Sequence, residues 1–101
     1  MNVSVLTKNF NGLDIGVKVF LTLVLCARDN GEIELKKSDV AGYLDVSRQT
    51  VGKHIKSFAE ANMLKYKFSG KGIFNPDFYY KGSLEEKVTA KELYERFKSD
   101  V

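Results

Sequence analysis

The sequence predicts an α+β domain, with a three-helix core, a β-hairpin and an additional C-terminal helix, spanning residues 1–101 as one unit. Three observations carry this prediction. Residues 13–27 form one long apolar segment, and residues 37–61 hold two helical patterns with a tight join. Residues 64–74 alternate apolar and basic side chains and then turn back through a glycine-rich stretch. A chain of 101 residues with 44% apolar and 29% charged side chains has the core of one domain and the surface of a soluble one.

Residues 1–12 alternate weakly, through Val3 and Val5, and read as an N-terminal strand or arm. Ten of the thirteen residues from Ile15 to Ala27 are apolar, interrupted by Gly16, Lys18 and Thr22. So long a run without a turn favours a helix, with Asp14 near its start and Asn30-Gly31 as its stop. Leu13, Val17, Phe20, Leu21, Val24 and Leu25 make one stripe at i, i+3, i+4 spacing. Ile15, Val19, Leu23 and Cys26 populate much of the remaining surface. A helix apolar nearly all round is buried on more than one side. In so small a domain a second copy of the chain is the natural cover, which predicts a homodimer. The segment is shorter than the roughly 20 residues of a membrane span and carries Lys18, and residues 1–10 are not leader-like.

Glu32-Ile33-Glu34-Leu35 alternates charged and apolar residues, the pattern of a short half-buried strand. A short helix follows from about Lys37 to Leu44, and Asp45-Val46 makes the turn. Ser47 is a good N-cap, and Val46 with Val51 can form a hydrophobic staple across it. That second helix runs to about Ala61 with Val51, Ile55 and Phe58 on one face, and Asn62 suits a left-handed stop. Leu64, Tyr66 and Phe68 then alternate with Lys65 and Lys67, Ser69-Gly70-Lys71-Gly72 forms the turn, and Ile73-Phe74 returns. Asn75-Pro76-Asp77 breaks the strand, and Phe78-Tyr79-Tyr80 packs back onto the domain. Ser83 to Glu86 and Thr89 to Glu92 both fit a capping box. The second precedes the better stripe (Ala90, Leu93, Tyr94, Phe97), which places the last helix within residues 89–101.

The formal charge is only +3, but it is unevenly placed. Residues 36–81 hold nine basic and four acidic side chains, while each flank is net −1. A positive field concentrated in the middle of the chain suits a polyanion-binding surface. If Val51, Ile55 and Phe58 face the core, Gln49, Gly52, Lys53 and Lys56 fall on the opposite stripe. Gln49 could then bond adenine, Arg48 or Lys53 could reach guanine, and Gly52 would allow close approach. Ser47 and the helix N-terminus could hold a phosphate.

The run from Leu35 to Ile55 resembles the helix-turn-helix of the winged-helix DNA-binding superfamily. Ala41 stands at the small position of its first helix, and Val46-Ser47-Arg48-Gln49-Thr50-Val51 opens its recognition helix. Asn62-Met63-Leu64 stands where that superfamily commonly has Gly and two apolar residues, and the hairpin after it looks like the wing. The stretch from Gly72 to Gly82 is similar to the segment after the wing in plasmid replication initiators of the RepL type. Size and element order also look like those of the small dimeric relaxosome accessory proteins of the TcpK type, from conjugative plasmids. These resemblances imply a sequence-specific double-stranded DNA-binding protein of a mobile element, acting at repeated sites in an origin of transfer, or alternatively in replication or repression; the other reading is a winged helix that docks onto another protein without binding DNA. A relaxase, or other transfer or replication proteins, would be the implied protein partners.

The candidate DNA contacts are Lys36 and Lys37 before the first helix, and Ser47, Arg48, Gln49, Thr50, Lys53 and Lys56 on the second. On the wing they are Lys65, Lys67, Ser69, Gly70, Lys71 and Gly72. A narrow basic tip fits a minor groove, so the wing is expected to contribute strongly. Tyr66, Phe68, Phe74, Phe78 and Tyr80 either stack on bases or pack in the core, and a chain without tryptophan needs its aromatics inside. A lone Cys26 forms no internal disulfide and favours a reducing compartment, hence the cytoplasm. With His54 the only histidine, neither a metal site, a cofactor nor an enzymatic activity is expected.

Overall fold

A computed structural model describes residues 10–100. The expected N-terminal strand or arm lies outside the described residues up to residue 9, and residues 10–12 form a tight turn in which the Leu13 amide donates to the Phe10 carbonyl at 3.1 Å. The elements then run α1 (Ile15–Cys26), β1 (Glu32–Glu34), α2 (Lys37–Leu44), α3 (Arg48–Glu60), β2 (Leu64–Tyr66), β3 (Lys71–Phe74) and α4 (Leu84–Arg96). The strands form one antiparallel sheet in the order β1-β3-β2. Helices α1 to α3 pack on one face of that sheet, giving the α+β, winged-helix arrangement. None of the described helices is long and apolar enough to cross a membrane.

Helix α1 begins where Asp14 accepts the Gly16 amide at 3.3 Å. It stops at Cys26, earlier than the Asn30-Gly31 pair suggested. Gly31 instead supplies a left-handed residue (φ +90°) in the turn from α1 into β1. The larger apolar stripe of α1 is not the one that faces the core. Val19, Thr22 and Leu23 are fully buried, while Leu13 and Val17 of the larger stripe are 43% and 45% exposed. Phe20 and Val24 reach the core only partly. The two uncharged interruptions explain this choice of face. Thr22 donates its hydroxyl to the Lys18 carbonyl at 2.8 Å, which lets a polar residue face inward at no hydrogen-bonding loss. Gly16 lets α3 approach, since a Cβ there would sit 3.1 Å from His54 Nδ1. His54 is accordingly half-buried against α1 rather than simply exposed.

The helix-turn-helix forms from local signals. Asp45 takes the left-handed conformation (φ 56°) that ends α2, and Ser47 caps α3 by accepting the Thr50 amide at 3.1 Å. Asn62 (φ 59°) turns the chain from α3 into β2. Val40, Val51, Ile55, Leu64, Tyr66 and Phe74 join Val19 and Leu23 in the core.

The last helix is capped by Ser83, six residues before the expected Thr89, because the first of the two capping boxes is the one used. Ser83 accepts the Glu86 amide at 3.2 Å, and Glu85 and Glu86 sit in the first turn, where carboxylates complement the helix dipole. Ala90 and Tyr94, four residues apart, are buried against the sheet side of the domain. The Tyr94 hydroxyl donates to Asn62 Oδ1 at 2.7 Å, and Lys87 and Lys91 flank Asp77 at 3.7 and 3.3 Å. Beyond α4 the chain runs along the outer edge of β2. Ser99 Oγ bonds both the amide and the carbonyl of Tyr66, and the Asp100 amide donates to that same carbonyl. This tail covers an edge that would otherwise offer unpaired backbone groups.

Candidate nucleic-acid interface

Helix α3 owes its two faces to a 3.6-residue period. Val51 and Ile55 are fully buried, which leaves Gln49, Lys53 and Lys56 exposed on the opposite side, while Arg48 is exposed in the first turn. None of these cations enters an ion pair among the described residues. Ser47 and Thr50 are joined by a 2.8 Å hydroxyl contact, so both hydroxyls lie at the exposed N-terminus of the helix.

Two further lysines arrive from α2. Lys36 occupies its N-cap position without a side-chain bond to the helix, so the first amides of α2 have no side-chain cap. Lys37 crosses from α2 to the other two elements. Its ammonium lies 5.0 Å from the Phe68 ring centre and 5.9 Å from that of Tyr66. A Cβ placed on Gly52 would come 3.7 Å from the same ammonium. Gly52 thus makes room for the lysine that joins the recognition helix to the hairpin.

The hairpin turn is Lys67-Phe68-Ser69-Gly70 rather than Ser69 to Gly72. The Gly70 amide donates to the Lys67 carbonyl at 2.9 Å, and Gly70 holds φ +98°. Only glycine serves there, since a Cβ would lie 2.9 Å from Lys36 Cγ and 3.0 Å from the Lys36 amide nitrogen. Gly70 and Gly72 are therefore buried, and the tip that faces solvent is Phe68 and Ser69.

Strand alternation decides where the wing lysines go. Registers Tyr66↔Gly72 and Leu64↔Phe74 put these residues on the inner face with Ile33. Lys65, Lys67 and Lys71 fall on the outer face with Ile73, away from α3. The Lys65 ammonium donates to the Tyr94 carbonyl at 2.7 Å, in the last turn of α4, and lies 4.6 Å from the Tyr94 ring centre. Lys67 lies 5.1 Å from the Phe97 ring centre. Lys71 is exposed, but Glu34 stands directly across from it in the register. The fold thus gathers Lys36, Lys37, Ser47, Arg48, Gln49, Thr50, Lys53 and Lys56 on one side and turns Lys65 and Lys67 onto α4.

Burial sorts the aromatic residues. Tyr66 and Phe74 are fully buried, and the Tyr66 hydroxyl donates to the Leu35 carbonyl. Burial, reinforced by the Asp39 carboxylate, pushes the Tyr66 phenol up to about 12. Phe20 makes edge-on contacts with Phe58, Phe74 and Phe78 at 5.7–5.9 Å. Phe68, by contrast, is 71% exposed. The sequence placed Phe68 among the aromatics that either stack on bases or pack in the core, and its position just past the end of β2 leaves the ring outside the core.

Among curated proteins and solved structures none matches this chain at a significant level. The family model of the Firmicute plasmid replication protein (RepL) matches residues 17–100. That span takes in nearly all of α1 and every later element, including the α4 tail that completes the wing. A match over most of the chain, on a fold of this order, makes the protein a member of the RepL family of plasmid replication proteins.

Proposed function

We propose that this chain is a sequence-specific, non-enzymatic double-stranded DNA-binding protein that acts in the cytoplasm at a plasmid origin. Helix α3 enters the major groove, and the α2 N-terminus with Ser69 of the hairpin grips the adjoining backbone. The observation that supports this is the exposed stripe of Gln49, Lys53 and Lys56 opposite the buried Val51 and Ile55, flanked by Arg48, Lys36 and Lys37. Family membership favours the replication origin; an origin-of-transfer role, with a relaxase as partner, rests on resemblance to relaxosome accessory proteins alone. Titrating salt against binding to random duplex tests the reading. Log affinity should fall linearly with log salt, with a slope worth several phosphate contacts. A flat or undetectable response overturns it.

The outward face of α1 supports a homodimer. Leu13, Ile15 and Val17 are exposed and border an apolar groove lined by Phe20, Phe58, Met63 and Phe78. Sedimentation of the full chain should show a dimer that Val17→Glu converts to a monomer. A monomeric wild type, or a dimer indifferent to that charge, overturns this assembly.

A further inference from the structure

We propose that Phe68 and the cationic recess beside it bind an unpaired nucleotide, the base stacked on the phenyl ring and its phosphate held by the recess. The inference rests on the DNA-binding reading above and assigns it a second, distinct task. An open recess of about 160 Å³ is lined by Phe68, Lys36, Lys37, Ser38 and Arg48. Three of its five residues are cations, and the side-chain-uncapped N-terminus of α2 opens into the same place. An aromatic built for protein docking sits in an apolar patch with charge excluded from its centre. Here the ring is surrounded by ammonium, guanidinium and hydroxyl groups, a setting that matches a base with its phosphate.

The ring is also held in place. The Phe68 amide donates to the Asp100 carboxylate at 3.1 Å, the Lys67 amide to the Lys71 carbonyl at 2.8 Å, and the Gly70 amide to the Lys67 carbonyl. A side chain mounted on a pinned backbone gives up little freedom on binding. Within an intact duplex both faces of each base are covered by its neighbours. A phenyl ring therefore reaches a base face only where a step has opened or a strand is single. The recess lies between the hairpin tip and α3, because Lys37 touches both. A duplex held on α3 would present such an opened step at its edge.

Phe68→Trp provides the direct readout, since the chain has no other tryptophan. Three fluorescein-labelled probes are compared: an intact duplex, the same duplex with a central mismatched bubble, and oligothymidylate. Tryptophan emission should be quenched by the bubble and by oligothymidylate, and little by the intact duplex. Phe68→Ala should weaken binding of the unpaired probes about 5- to 100-fold. Its affinity for the intact duplex should stay within about 2-fold, as for other exposed substitutions. Equal quenching by bubble and oligothymidylate assigns the site to any single strand, and stronger quenching by the bubble assigns it to opened duplex. If the three probes lose affinity equally in Phe68→Ala, or emission is unchanged by all three, the assignment is overturned while duplex binding stands. If wild type binds none of them, both readings fall.

Discussion

The recognition helix and the wing carry three basic side chains each, yet the fold uses them in opposite ways. Lys53 and Lys56 project from the solvent face of α3, opposite a fully buried Val51 and Ile55, and Arg48 stands exposed in its first turn. Lys65 and Lys67 lie on the outer face of the sheet, where one caps the last turn of α4 and both cover aromatic rings. The difference shows that a count of charges does not locate a binding surface; the face on which each charge stands does. A lysine against an α-helix carbonyl and a tyrosine ring is a structural clamp, with its long apolar stem lying along the packed surface.

The sharpest break in this comparison is on the inner face of the wing. Tyr66→Ala removes a fully buried ring and its bond to Leu35, and should cost about 3–5 kcal/mol in urea-monitored unfolding. A loss under about 1 kcal/mol would mean that the wing is an appendage rather than part of the core. Gly70→Ala comes next. Left-handed strain and contact with the Lys36 backbone should together cost at least about 1–2 kcal/mol.

The paired cations then test the contrast itself. Lys53→Ala with Lys56→Ala should lower the salt slope of duplex binding by about 2 and leave the melting temperature nearly unchanged. Lys65→Ala with Lys67→Ala should do the reverse, keeping the slope and lowering stability by about 1 kcal/mol. Lys71→Ala should weaken binding less than Lys53→Ala, because Glu34 stands across from Lys71 in the sheet register. The opposite ranking would put the wing ahead of α3 in binding.

The last effect is confined to alkaline pH. The Tyr66 phenol is pushed from 10.0 up to about 12 in the fold, so it stays protonated where the unfolded chain has begun to ionise. Its contribution is fully present below pH 10.0 and is lost as pH rises toward about 12, with a slope approaching ~1.4 kcal/mol per pH unit. Tyr66→Phe should flatten that part of the stability–pH curve. An unchanged slope would place the alkaline transition in another group.

The helix-turn-helix was legible because its signals are local. Ser47 caps α3 through an amide three residues away, Asp45 and Asn62 end their helices by turning left-handed, and the α3 stripe follows from a single period. The start of α4 was not legible, because two capping boxes six residues apart are locally equivalent. Ser83 is the cap that forms, and Lys87, in the turn that the second box would have left out, pairs with Asp77 from a distant loop. The same limit sent Phe68 to the core in the sequence reading, since its alternation with Lys67 assigns a face but does not say that the face overhangs the core edge.

The sequence by itself determined the element types and order, the caps at Asp14 and Ser47, and the concentration of positive charge in residues 36–81. These depend on neighbours a few residues away, whose spacing is fixed by the covalent chain. Tertiary structure alone decided which face of α1 turned inward, where Gly16 and Thr22 overruled the larger apolar stripe. It also decided that Lys65 and Lys67 hold α4 while Lys37 bridges the wing and α3. Periodicity divides an element into faces, but only the docking of distant elements settles what each face will meet.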